Sequence, residues 1–74
     1  MNSYKTELYK VSFGIDTQRD LTEVTLTKIG SEFYESYTNL PILAHKLCEL
    51  IQEGRMSQKE ASKTIAKAMI HLTN

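Results

Sequence analysis

The chain is short of the residues that usually announce a site or a staple. Among 74 residues there are one cysteine, one proline, three glycines and no tryptophan. With Cys48 alone, no internal disulfide can form, and the expectation is a reduced, cytoplasmic chain with one small buried thiol. The three glycines are scattered, so no glycine-rich loop is present to cradle a phosphate. No apolar run approaches the ~18 residues that a membrane helix needs. The opening stretch "MNSYKTELYK" has no hydrophobic segment of the signal-peptide kind.

Charge of one sign is also missing. Nine Lys and Arg balance nine Asp and Glu, for a net charge of zero. Strong nucleic-acid binders are usually basic, because each neutralised phosphate needs a cation. Arginine, the commonest specific base reader, occurs only at positions 19 and 55. The halves differ slightly: residues 1–37 hold four basic and six acidic side chains, residues 38–74 five and three. Such a weak dipole could orient an encounter but could not hold a long stretch of DNA.

What is present is periodicity. No repeat, linker or low-complexity segment divides the chain, so residues 1–74 read as a single small domain. In "ELYKVSFGI", Tyr9, Val11, Phe13 and Ile15 share one parity, as in a half-buried strand. "DTQRD" is a polar turn, and "LTEVTLTKI" is rich in β-branched residues, with Val24 and Leu26 facing inward. A hairpin is expected from about residue 5 to residue 29. Gly30-Ser31 suits a two-residue type II′ loop. "EFYESY" then forms a third strand, with Phe33 and Tyr37 on one face and Tyr34 on the other. Residues 32–38 also fit a helical spacing that runs on through Leu40, Ala44, Leu47 and Ile51. Pro41 argues against one continuous helix and fits the first turn of a new one, so the strand is preferred.

The second half is helical. Over residues 40–53, Leu40, Leu43, Ala44, Leu47, Cys48, Leu50 and Ile51 fall in one arc of the wheel. Gly54 is placed to end that helix in a left-handed cap. Ser57 and Glu60 then form a capping box, with Met56 stapled onto Ala61. Two helices joined so tightly lie antiparallel. The expected fold is α+β: a small antiparallel β-meander of two or three strands followed by an antiparallel α-helical hairpin, βββαα.

The last helix carries the candidate surface. Its expected core stripe is Ala61, Ile65, Ala68, Met69 and Leu72, with Lys59, Lys63 and Lys67 nearly opposite. A lysine row opposite a core stripe is most often a solvated face. Ile70 projects within the lysine arc, and an apolar residue ringed by lysines is what a small interface for an acidic partner would look like. Tyr34 is a second candidate, since its parity is opposite to that of Phe33 and Tyr37.

Other chemistries are weaker. "MSQKEASKTIAKAM" resembles the first helix of a helix-turn-helix only superficially, because no second helix follows it. Tyr4, Tyr9, Phe13, Phe33, Tyr34 and Tyr37 could include a base-stacking platform, but aromatics at alternating strand positions more often form a core. His45 and Cys48 are three apart, and His71 lies on the other helix, too few ligands for zinc. His45 and Glu49 form an ordinary i,i+4 surface pair. Asp16, Asp20, Glu23, Glu32 and Glu35 lack the spacing of a calcium loop. A domain this small struggles to enclose a substrate pocket.

The expected function is therefore non-enzymatic, without metal, cofactor, membrane or small-molecule substrate. The chain is read as a small cytoplasmic protein that binds another protein, or itself, as inhibitor, adaptor or regulator. Lys59, Lys63, Lys67, Ile70 and Tyr34 are the partner-binding residues. The alternative is a dimeric nucleic-acid-binding regulator.

Overall fold

Alternation builds the centre of the sheet. In the computed structural model, which describes residues 2–72, strands β2 (Tyr9–Asp16) and β3 (Leu21–Lys28) pair antiparallel with Val11 opposite Leu26 and Phe13 opposite Val24. Tyr9, Val11, Phe13, Val24 and Leu26 are all buried on one face. The turn between them is held by Asp16, whose carboxylate accepts the N–H groups of Gln18 and Arg19 at 3.0 and 3.3 Å. Asp20 closes it with a φ of 55°, a left-handed conformation that short polar side chains tolerate. Ile15 keeps the inward parity yet stays exposed at the open end of the strand.

The sheet has four strands, not two or three. The unexpected one is β1 (Asn2–Lys5), antiparallel to β2 with Tyr4 opposite Val11. It carries one inward aromatic and no alternating apolar partner, so no period was there to read. The chain reverses over residues 6–8, where the buried Thr6 hydroxyl accepts the Tyr9 N–H at 3.1 Å.

The third expected strand is real but shorter. It is β4 (Tyr34–Tyr37), antiparallel to β3 with Thr27 opposite Tyr34 and Val24 opposite Tyr37. Phe33 lies outside it and is 82% exposed, so it does not share a core face with Tyr37. The connection is longer than two residues. Ser31 N–H donates to the Lys28 carbonyl at 3.1 Å, which makes Gly30 the third turn residue, and its φ of 85° fits a type II turn. The sheet order is β1-β2-β3-β4, a simple meander.

Helix α1 (Leu40–Gln52) starts where Asn39 accepts the Ile42 N–H at 3.0 Å, with Pro41 in the first turn. It ends at Gly54, φ 73°, where the Arg55 N–H reaches the Leu50 carbonyl and the Gly54 N–H the Ile51 carbonyl. That pair of bonds is the Schellman arrangement. Residues 53–57 turn the chain back into α2 (Gln58–His71). Ser57 Oγ accepts the Glu60 N–H at 3.1 Å, while Glu60 Oε1 accepts the Ser57 hydroxyl at 3.2 Å. Met56 and Ala61 are both buried.

Helix α1 packs over β4, and α2 over β2 and β3. Leu43, Leu47 and Leu50 are buried against Val11, Val24 and Leu26, and each such side chain is worth about 1.5–3 kcal/mol in water removed from its surface. Lys46 Nζ lies 3.7 Å from Glu35 Oε1 and joins α1 to the edge strand. Cys48 is exposed, contrary to the expected buried thiol, because it lies on the flank of α1 beyond the Leu43–Leu47–Leu50 line.

Candidate functional site

The orientation of α2 decides which of its side chains face water. Its buried residues are Ala61, Thr64 and Ala68, whereas Met69 is 51% exposed. At 100° per residue the inward face is therefore turned about 50° from the apolar stripe Ala61-Ile65-Ala68-Met69-Leu72, toward Thr64. Two polar contacts hold that setting. The Tyr4 phenol is hydrogen-bonded to Thr64 Oγ1, and His71 Nε2–H donates to the Gly14 carbonyl at 2.8 Å. The His71 ring also meets Phe13 edge-on at 5.7 Å. Both anchors sit on the sheet side of α2 and draw it past its hydrophobic optimum.

The rotation tips the lysine row toward β1. Lys63 and Lys67 swing toward β1, where their Nζ atoms stand 4.7 and 5.7 Å from the centre of the Tyr4 ring. Both remain exposed, as does Lys59. Among the described residues, no carboxylate lies within ion-pair distance of any of the three. Burial raises the Tyr4 pKa above its ordinary value, and nearby Glu60 adds to the rise. Ile70 is 76% exposed on the same outer edge.

Tyr34 belongs to another surface. It stands at the start of edge strand β4, 67% exposed, and with Phe33 and Arg55 lines a cleft at that end of the sheet. The structure thus brings Lys59, Lys63, Lys67 and Ile70 to one edge of α2 and leaves Tyr34 apart from them.

Two features of the helical hairpin escaped the sequence reading. Met69 was assigned to the core, yet with Ala66 it lines an apolar groove between the helices, together with Ala44, Cys48, Ile51 and Ile65. Ile42 is 59% exposed on the outer edge of α1. The signal for Ile42 was available: it lies about 100° around the helix from Leu43, off the buried line. The hairpin therefore presents an apolar centre with one exposed isoleucine on each margin.

The remaining polar groups serve local structure. Burial, and then the Glu35 carboxylate that accepts its phenol, push the Tyr37 pKa well up. The Arg19 side chain beside Asp16 holds that carboxyl below its usual range. His45 Nε2 stands 3.6 Å from Glu49 on an exposed flank of α1. Among the described residues, no group of three or more His, Cys, Asp or Glu side chains is placed to hold a metal ion. Nor, among them, is any helix long and apolar enough to cross a membrane. No protein-family model, no curated protein and no solved structure matches the chain.

Proposed function

We propose that this is a small cytoplasmic, non-enzymatic protein that acts by binding another protein, as an inhibitor, adaptor or regulator, through the outer face of its α1–α2 hairpin. One observation carries the reading: of the six large apolar side chains more than half exposed among the described residues, Ile42, Met69 and Ile70 lie on the hairpin, Met69 in the apolar groove between its helices and the isoleucines on its margins, while Ile15, Phe33 and Tyr34 are spread along the sheet. Single exposed apolar residues are ordinary, but a group around an apolar groove is what docking surfaces are made of. Lys59 and Lys63 rim that group and would favour an acidic partner and guide its approach. The exposed thiol of Cys48 suits a reducing compartment.

The test is affinity capture from the source cells with nuclease present, comparing the wild type with Ile70→Asp and Met69→Asp. Proteins retained by the wild type and lost by both folded variants support the reading. Equal capture by all three, or material released by nuclease alone, sinks it, and the second outcome points to the nucleic-acid alternative.

A further inference from the structure

We propose that the partner seated on the hairpin's outer face is a second copy of this chain, related by a two-fold axis parallel to α1 and α2. The inference rests on the docking-face reading and names its occupant.

The two margins of the hairpin are complementary to each other. At 100° per residue, Ile42, Glu49 and Glu53 project within about 40° of one another on α1, and Lys59, Lys63 and Ile70 within about 40° on α2. Each margin thus carries one exposed isoleucine and two like charges, negative on α1 and positive on α2. The acidic margin is only lightly engaged within the chain. Glu49 is 3.6 Å from His45 and Glu53 is 3.4 Å from Arg55.

The heights match as well. Glu49 stands three residues before Gln52, the last of α1, while Lys59 and Lys63 stand one and five residues after Gln58, the first of α2. At a rise of ~1.5 Å per residue, Glu49 falls midway between the two lysines. Ile42 is ten residues from Gln52 and Ile70 twelve from Gln58, an offset of about 3 Å.

A two-fold axis parallel to the helices preserves height and exchanges the margins. It lays α1 of each copy over α2 of the other, Glu49 against Lys59 and Lys63, and Ile42 against Ile70. The groove residues Ala44, Ile51, Ile65, Ala66 and Met69 close on their counterparts, and the alanines permit a near approach. An axis perpendicular to the helices would instead lay each helix over its own copy with heights reversed, which sets the charged end of each margin against the isoleucine end and pairs no lysine with a glutamate. Charge therefore selects one of the two isologous arrangements.

The face formed by helices of 13 and 14 residues is about 20 Å on a side, so pairing buries on the order of 1,200 Å² in total, the low end for a specific interface. The dimer is accordingly expected in the micromolar range.

Sedimentation equilibrium of the full chain from low micromolar to millimolar concentration tests this. The wild type follows a monomer–dimer curve. Lys63→Glu and Glu49→Lys each weaken pairing by about tenfold, since symmetry makes each change act twice. The triple exchange Glu49→Lys/Lys59→Glu/Lys63→Glu recovers it to within about threefold of wild type, because each lost attraction is rebuilt with the signs reversed. Melting curves establish that each variant is folded. A chain that stays monomeric throughout, a dimer indifferent to both reversals, or a triple exchange that fails to recover overturns the proposal. If the chain is monomeric while Ile70→Asp still loses a captured protein, self-pairing falls and the docking face stands. If capture too is unaffected, both fall.

Discussion

The phenol of Tyr4 and the hydroxyl of Thr64, sixty residues apart in the chain, share a hydrogen bond between the first strand and the last helix. Thr64 already donates its own proton to the Glu60 carbonyl at 2.9 Å, so Tyr4 is the donor and Thr64 the acceptor. The two substitutions that break this bond are unequal. Thr64→Val removes the acceptor at a fully buried position and costs about 1–2 kcal/mol, whereas Tyr4→Phe leaves Thr64 satisfied and costs less than about 1 kcal/mol. Urea denaturation of the two variants measures the difference, and equal losses would contradict the donor assignment.

Gly54 sets the turn between the helices. A methyl group there would touch nothing within 4 Å, yet its φ of 73° is unfavourable for any side chain with a Cβ. Gly54→Ala is therefore a pure backbone substitution, expected to destabilise by about 1 kcal/mol, with Gly54→Asn milder because asparagine tolerates the left-handed region. A thermal shift of a few degrees between the two is the readout.

The alkaline limb of stability reports on Tyr37. Its folded pKa is raised above the ordinary 10.0, first by burial and then by Glu35, so the native state holds that proton more tightly than the unfolded chain does. Its contribution is whole below pH 10.0 and is lost progressively as pH climbs toward the raised native value. Tyr4 shifts in the same direction and adds to the loss. Denaturation midpoints should be level from neutral pH upward and fall beyond tyrosine's normal range. Tyr37→Phe should flatten that fall, and a midpoint insensitive to pH in the wild type would refute the linkage.

The setting of α2 is tested by paired aspartates. Met69→Asp and Ile70→Asp fall on exposed positions and should change stability by less than about 0.5 kcal/mol, whereas Ala68→Asp forces a charge into a site with no exposure and should unfold the domain. Far-ultraviolet circular dichroism separates the outcomes. Had the apolar stripe determined the rotation, Met69→Asp would be the damaging one.

That contrast shows which parts of the molecule can be read from residues alone. Strand β2 was legible because Tyr9, Val11, Phe13 and Ile15 alternate along it, β3 because it is rich in β-branched residues, and both helices because Pro41, Gly54 and Ser57 mark their ends in local chemistry. Strand β1 was not, because Asn2–Lys5 turns only Tyr4 inward and an edge strand needs no second buried face. The error on α2 followed from that omission. Hydropathy ranks Met69 above Thr64, and only a strand bearing Tyr4 gives Thr64 a reason to be inside. Of the residues singled out for binding, Lys59, Lys63, Lys67 and Ile70 shared a helix and so stayed together, while Tyr34 depended on a register that parity alone does not supply.

The two outermost strands, β1 and β4, are four residues each. Margins so brief offer an incoming chain only a few ladder bonds, and on β1 Lys5 stands directly across from Lys10, concentrating positive charge at that border. Such a sheet resists growing into a fibre by accretion of neighbouring segments, so association of this molecule through its strands is self-limiting.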